Sequence, residues 1–237
     1  MKYHLNIPGN KDAGNVAIHQ IYNHKVIYHR AEKLCNSRDG VSCTILYHSV
    51  VEAFFNDVVG FYNLAKEHPA RYRKIDGHIG WLYLPTDGIE SVVKEALEQI
   101  ERKNICEKIY RLIKLKHIDE ISAKACFKKI KSTHWFQQLK NLTDCRNALV
   151  HPKANPLIYN KDTGEITGVL SFLKNHINQG KIDNPDFFDS WINALDTEQY
   201  CKWCKETVYS AIKEIKALLP EKELTEYFLY DTKLEVL

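Results

Sequence analysis

The spacing of apolar side chains is the feature that most limits how this chain folds. Over most of its length, apolar residues recur every three or four positions, which is the periodicity of an amphipathic α-helix. Only 10 Gly and 7 Pro interrupt the 237 residues, so long helical segments are seldom broken. The sequence therefore predicts an all-α protein.

Two segments depart from the helical pattern. The segment 68–88 collects Pro, Gly and Asp around aromatic residues, and we predict a variable connecting loop there. β-prone runs flank the turn-forming residues 160–165, which predicts a small β-hairpin insertion at 157–170. The C-terminal tail 221–237 has a mixed pattern. Helices are predicted over 15–36, 41–67, 89–103, 105–115, 119–130 and 134–150, with one or two more over 189–219.

Length and composition bound the class of protein. A chain of 237 residues is predicted to form a single domain, 1–237, because one core grows up to about 250 residues. The 33 Lys and Arg against 30 Asp and Glu give a net charge of only +3, which excludes a polybasic DNA-coating protein. The sequence shows neither a signal peptide nor about 18 consecutive apolar residues, so we expect a cytoplasmic protein with no membrane partner.

Seven cysteines are scattered through the predicted helices, at positions 35, 43, 106, 126, 145, 201 and 204. An odd, dispersed set differs from the disulfide framework of a small secreted domain, so we interpret them as reduced thiols. Cys201 and Cys204 have the spacing of a metal half-site, but no second pair completes four ligands. We interpret this pair as small hydrophobic residues on a helix, and the sequence predicts no metal site and no cofactor.

The most informative stretch is 144–153, DCRNALVHPK, in which Arg146 and His151 enclose four residues. Pro152 disfavours the helical conformation at the preceding residue, so the helix 134–150 is predicted to leave His151 at its C-terminus. The spacing by itself does not identify a site. Arg73 and His78 have the same gap, and the gap between Arg111 and His117 is one residue wider.

Context separates Arg146 from the other arginines. Arg146 lies at helical spacing on the same stripe as the apolar residues Trp135, Leu139, Leu142 and Leu149. Burying an unpaired guanidinium costs several kcal/mol. We therefore expect Arg146 to have a carboxylate partner, or to lie at a groove or subunit seam.

A polar line runs through the very apolar second helix, where Thr44, His48, Glu52 and Asn56 recur at four-residue steps. Two interpretations stay open. The line is either the solvated face of the helix or a buried polar network. In the second case Glu52 orients Arg146, and Asn56 or His48 helps to position a substrate phosphate.

The segment from Arg146 to His151, on a late helix of an all-α chain, resembles the Arg-x4-6-His motif of the HEPN superfamily. The second-helix phrase at 49–56, SVVEAFFN, is similar to the acidic helix-two segment of these domains. Asn147 matches the family's usual residue after the Arg. The likeness covers about 13–151 and the last long helix. It implies a HEPN-like helical bundle in which 68–88 and 157–170 are elaborations.

The resemblance also implies a function, that of a metal-independent endoribonuclease of toxin or defence type. Such an enzyme acts on RNA as a homodimer and in some systems has an antitoxin protein as partner. His151 would be the general acid or base, and Arg146 would stabilise the charge that builds on phosphorus. Asn147 would support them by a hydrogen bond to the imidazole or the phosphate. Lys153 replaces a Tyr that some related toxins have, and is interpreted either as a phosphate contact or as an ordinary surface lysine.

Two alternatives to catalysis stay open. The chain is a non-catalytic HEPN-like module that binds RNA, a nucleotide or a protein partner, or it is an unrelated helical protein in which the motif arose by chance. Cleavage assays on the wild type and on variants of Arg146 and His151 distinguish these readings.

Overall fold

The structure, a computed structural model, is mainly helical. It describes residues 22–67, 70–75, 78–83, 100, 103–117, 119–151, 158–159, 161–163, 166–167, 171–182, 190–221, 225–226, 228–229, 232 and 234. Within these residues, the α-helices are α1 (Asn23–Asn36), α2 (Gly40–Glu67), α3 (Ile105–Lys116), α4 (Glu120–Lys131), α5 (His134–Val150), α6 (Ser171–Asn178) and α7 (Glu198–Ala217), with a short 3-10 helix at Asn193–Leu195.

Most of the described helices lie close to where the apolar periodicity predicts them, whereas no helix was predicted for α6. Helix α2 begins one residue before the predicted start at 41 and ends at the predicted residue. Helix α1 ends at Asn36 as predicted, and the predicted first turns at 15–21 lie outside the described residues. Most of the predicted helix 89–103 also lies outside them. No helix of the described part combines the length and the apolar character needed to cross a membrane.

Two antiparallel strand pairs accompany the helices. β1 (Ala70–Ile75) pairs with β2 (His78–Tyr83), with Ala70 opposite Tyr83. The prediction of a loop over 68–88 is therefore wrong for these two strands. The overlooked signal is Asp76-Gly77, because an Asp-Gly dipeptide between β-prone runs favours a hairpin. β3 (Ile158–Tyr159) pairs with β4 (Ile166–Thr167), inside the segment where the sequence predicts an insertion.

Capping residues mark the starts of α2 and α3 and the end of α5. Asn104 and Glu107 form a capping box at the start of α3, in which each side chain accepts a hydrogen bond from the other residue's backbone N–H. At the start of α2, Oδ1 of Asp39 accepts from the N–H of Ser42 at 2.8 Å. Helix α5 ends at Val150 with His151 as its C-cap, which confirms the predicted helix end.

The chain groups into two compact units, and the single domain expected for 1–237 stays a prediction. The first unit comprises 1–23, 52–128 and 215–237, and the second comprises 24–51 and 129–214. In the first unit, aromatic rings form the core. The ring of Phe228 lies 5.7 Å from that of Phe54 and 5.2 Å from that of Phe61. The mixed tail 221–237 thus supplies a core residue, since Phe228 is fully buried.

The core of the second unit is organised around the buried hydroxyl of Tyr200 on α7. This oxygen lies 2.9 Å from Oγ1 of Thr44 and 2.9 Å from Sγ of Cys145, so it joins α2, α5 and α7. Close backbone packing adds to this arrangement at Gly40, where a Cβ would collide with the carbonyl of Leu195. Only glycine fits at this position.

His176, on α6, packs its imidazole into the same core. Its ring lies 4.1 Å from the ring of Trp203 and 5.4 Å from that of Tyr200. Neither ring nitrogen has a hydrogen-bond partner among the described residues. Burial, and then the positive charge of Lys181, lower the pKa of His176 from 6.5 to about 4.

We predict that this histidine makes the protein acid-sensitive. Between pH 6.5 and about 4, the unfolded chain binds a proton that folded His176 does not, so the free energy of unfolding falls as the pH falls through this window. The loss amounts to at most roughly 3 kcal/mol. His176→Phe keeps an aromatic ring and removes the titration. Urea unfolding across this pH window should show a smaller loss for the variant, and identical losses in both proteins would contradict the prediction.

Candidate active site

Helix α5, which carries the Arg146 motif, packs into the second unit through one face. The sequence places that face on Trp135, Leu139, Leu142 and Leu149, with Arg146 interrupting it. The structure confirms Leu139 and Leu142, whereas Trp135 and Leu149 are half-buried. The buried residues of α5 are Phe136, Leu139, Leu142 and Cys145. The core position near the helix end therefore belongs to Cys145, and Arg146 borders the core face instead of interrupting it.

Arg146 is half-buried beside this face. Its Nη1 donates a hydrogen bond to Oδ1 of Asn147 at 3.1 Å. Within the described part of the chain, no ion pair with a carboxylate is found for Arg146, so the expected carboxylate partner is not observed there. A guanidinium has five N–H donors, and the described residues account for one hydrogen bond from it. The planar group can donate to two oxygens of one phosphate.

His151 lies at the C-cap of α5 and is exposed. Its backbone has φ −123° and ψ 65°, and its N–H donates to the carbonyl of Asn147 at 2.9 Å. Asn147 thus contacts both other motif residues, since its side chain accepts from Arg146 and its carbonyl from His151. In the described structure the Asn147 side chain accepts from Arg146, and a hydrogen bond from Asn147 to the imidazole or to the phosphate stays a prediction.

The chain's other Arg-His pairs test how specific this placement is. Arg73 lies on β1 and His78 on β2, so neither residue of that pair lies at the end of a helix. Arg111 lies within α3, and His117 is the C-cap of α3 with φ −107° and ψ 128°. A histidine at a helix C-cap is therefore not unique to the 146–151 motif, and Arg111 and His117 provide a matched control for it.

The polar line of α2 is neither wholly solvated nor wholly buried. Thr44 and His48 are buried, and Asn56 is exposed. Oγ1 of Thr44 also donates to the carbonyl of Gly40 at 2.7 Å, in addition to its contact with Tyr200. Thr44 and His48 belong to the second unit, whereas Glu52 and Asn56 belong to the first.

Glu52 has a partner in the first unit. Its carboxylate forms an ion pair with the ammonium of Lys108, whose side chain is only 2% exposed while that of Glu52 is 34% exposed. This ammonium also lies 5.7 Å from the centre of the Phe55 ring. The pair explains why an acidic residue occurs on so apolar a helix, because a buried ammonium needs a counter-charge. A role for Glu52 in orienting Arg146 stays a prediction.

The buried groups near the motif are poorly suited to nucleophilic chemistry. Burial raises the pKa of the Cys145 thiol to about 11. Burial also raises the pKa of the Tyr200 hydroxyl well above its usual value. Both groups are protonated at neutral pH, and a protonated thiol is a weak nucleophile. Neither buried group therefore competes with the exposed imidazole of His151 as a candidate for acid-base chemistry at this end of α5.

Among the residues that the structure describes, no group of potential metal ligands includes a residue of the motif. Among the described residues, one group of three potential ligands occurs, formed by Cys35, Cys43 and Cys201. It contains none of the predicted site residues. Sequence reasoning missed this cluster because its members lie far apart along the chain. Lys153, the predicted phosphate contact, lies outside the described residues, as does Pro152.

Comparisons with known proteins add no relative. No family model, no curated protein and no solved structure matches the chain. The likeness to the HEPN superfamily therefore rests on the quoted motifs and on the mainly helical fold.

Proposed function

We propose that the chain is a metal-independent endoribonuclease with a HEPN-like helical fold, of toxin or defence type. His151 acts as general acid or base, and Arg146 stabilises the transition state. The observation that carries the proposal is the arrangement at the end of α5. An exposed imidazole and a half-buried guanidinium flank Asn147, whose side chain accepts from Arg146 and whose carbonyl accepts from the backbone N–H of His151.

The chemistry follows from these residue types. The ribose 2′-oxygen attacks the adjacent phosphorus, the P–O5′ bond breaks, and the products are a 2′,3′-cyclic phosphate and a 5′-hydroxyl. Imidazole is suited to accept the 2′-hydroxyl proton or to protonate the leaving 5′-oxygen, because histidine titrates near neutral pH. The guanidinium offers N–H donors to the phosphoryl oxygens, on which negative charge builds. Asn147 holds the guanidinium in place through its Oδ1.

The remaining parts of the proposal come from the resemblance. A homodimer would bring two Arg146-His151 helix ends to one RNA, and an antitoxin protein would restrain the enzyme. Single-stranded or looped RNA is the expected substrate, because unpaired nucleotides leave the scissile phosphate free to adopt an in-line geometry. Lys153 would add a phosphate contact, and His48, Glu52 and Asn56 would support the site.

The product chemistry tests the proposal on the wild-type protein. Incubation with single-stranded RNA in EDTA should yield 2′,3′-cyclic phosphate ends, detected by mass spectrometry. An otherwise identical RNA with a single 2′-deoxy nucleotide at the cleavage position should resist cleavage there, since the attacking oxygen is missing. Size-exclusion chromatography with light scattering should give the mass of a dimer.

Two results would count against the proposal. Cutting of the 2′-deoxy RNA at the same position would exclude attack by the 2′-oxygen. Binding of RNA without cleavage at any protein concentration would favour the non-catalytic module instead. In that case, Arg146→Ala should weaken binding while the wild type leaves the RNA intact.

A further inference from the structure

Three thiols from three different helices meet in the second unit. Cys35 lies near the end of α1, Cys43 in the first turns of α2, and Cys201 in the first turns of α7. Their Sγ atoms all lie within 4.8 Å of one another. Cys43 and Cys201 are buried and Cys35 is half-buried, and all three are free thiols. The cluster shares no residue with the site proposed for RNA cleavage.

The separations of the sulfur atoms suit a metal ion held by thiolates. Zn²⁺ binds cysteine sulfur at about 2.3 Å, which places the sulfurs of a tetrahedral site about 3.8 Å apart. The observed group therefore needs side-chain movements of about 1 Å or less to close on an ion. Thiolate ligands select soft cations such as Zn²⁺ and Cu⁺ over Mg²⁺ or Ca²⁺.

The surroundings suit a negatively charged metal-thiolate group. Cys43 and Cys201 occupy equivalent places in their helices, since the N–H of Cys43 bonds to the Asp39 carbonyl and that of Cys201 to the Thr197 carbonyl. Both sulfurs therefore lie near helix N-termini, which stabilise negative charge. The 28-residue α2 and the 20-residue α7 are long enough for this effect. Three thiolates around Zn²⁺ carry a net charge of −1.

One oxygen of each carboxylate near the cluster already accepts a backbone hydrogen bond. Oδ1 of Asp39 accepts from Ser42, and Oδ1 of Asp196 accepts from the N–H of Gly40 at 2.8 Å. Lys205 lies near Cys35, and its ammonium is paired with Glu32 at 2.7 Å. Within the described residues, no fourth Cys, His, Asp or Glu joins the cluster. The half-buried Cys35 side therefore leaves a coordination position open to water or to an external ligand.

We propose that Cys35, Cys43 and Cys201 form a three-thiolate binding site for a single soft d10 metal ion, with Zn²⁺ as the first candidate and Cu⁺ as the second. The site goes beyond the proposed nuclease activity and uses none of its residues. Because it ties α1, α2 and α7 together, an ion bound there stabilises the folded second unit.

Metal titration of the reduced full-length protein tests the site. Zn²⁺ and Cu⁺ are added separately, without oxygen, in competition with a chromophoric chelator for each ion. We expect one ion of Zn²⁺ or of Cu⁺ to bind per chain, with a coordination geometry that identifies which ion the three sulfurs fit. Cys35→Ser, Cys43→Ser and Cys201→Ser should each weaken binding by more than about 100-fold, because even the loss of an outer-shell partner weakens metal sites by 10- to 100-fold. Cys126→Ser, a half-buried thiol on α4, is the matched control and should bind as the wild type does.

A spectroscopic measurement on the wild type keeps the proposal testable where a variant does not fold. X-ray absorption of the metal-loaded protein should show three sulfur ligands at about 2.3 Å for Zn²⁺. Fewer than three sulfur ligands, no stoichiometric binding of either ion, or equal losses in Cys126→Ser and the cluster variants would overturn the proposal. Because RNA cleavage needs no metal, a failed titration leaves the nuclease proposal intact, and an inactive but metal-binding protein leaves this one intact.

Discussion

Replacing His151 by alanine is expected to reduce the rate of RNA cleavage by about 10²- to 10⁴-fold, the usual contribution of a general acid or base. Arg146→Ala is expected to lose about 10²- to 10³-fold, as when one charge-stabilising donor is removed. Both side chains lie at the solvent-accessible end of α5, so neither change should unfold the protein. Initial rates with a fluorescent RNA, with circular dichroism as the check on folding, provide the measurement.

The second Arg-His pair of the chain supplies the control. Arg111 and His117 belong to α3, and His117 is also a helix C-cap, so Arg111→Ala and His117→Ala make the same chemical change at a similar place. These variants should cut RNA at rates within a few-fold of the wild type. If the α5 variants cut as fast as the α3 variants, the motif is not catalytic. His151→Gln adds a stricter test, because an amide hydrogen-bonds but does not transfer a proton at neutral pH.

Loss of Glu52 is expected to destabilise the first unit by about 3–5 kcal/mol, because it leaves the buried ammonium of Lys108 without a counter-charge. Glu52→Leu should therefore lower the midpoint of urea unfolding strongly, as followed by circular dichroism. The double variant Glu52→Leu with Lys108→Met should recover most of this loss, because both charges are replaced by apolar groups. A recovery identifies the ion pair, and not the shape of the Glu52 side chain, as the cause.

A surface ion pair provides the comparison for Glu52. Glu120 and Lys124 lie 3.1 Å apart on α4, with side chains 59% and 68% exposed. Glu120→Leu should shift the midpoint of urea unfolding far less than Glu52→Leu does, because solvent screens an exposed pair. A similarly small effect of Glu52→Leu, together with slower RNA cleavage, would favour the earlier hypothesis that Glu52 orients Arg146.

Local patterns predicted the helices well because a helix is decided by residues three and four positions apart. The apolar periodicity predicts the end of α2, and the proline after His151 predicts the end of α5. Both signals are local in the sequence, and the structure confirms both helix ends. The sequence predicts Trp135 and Leu149 on the buried face of α5, and the structure has Phe136 and Cys145 there instead. Apolar spacing alone does not decide which of two adjacent stripes faces the core when Phe136 and Cys145 are equally suited to it.

The mainly helical character of the protein and the position of His151 at a helix end were predictable from the amino-acid sequence, since both depend on short-range sterics and hydrogen bonding. The contact of Glu52 with Lys108, the joining of three helices by Tyr200 and the meeting of Cys35, Cys43 and Cys201 became visible only in the folded protein. Those contacts join residues up to 166 positions apart. These contacts depend on how separate helices pack against one another. The spacing of residues within a single helix does not specify that packing.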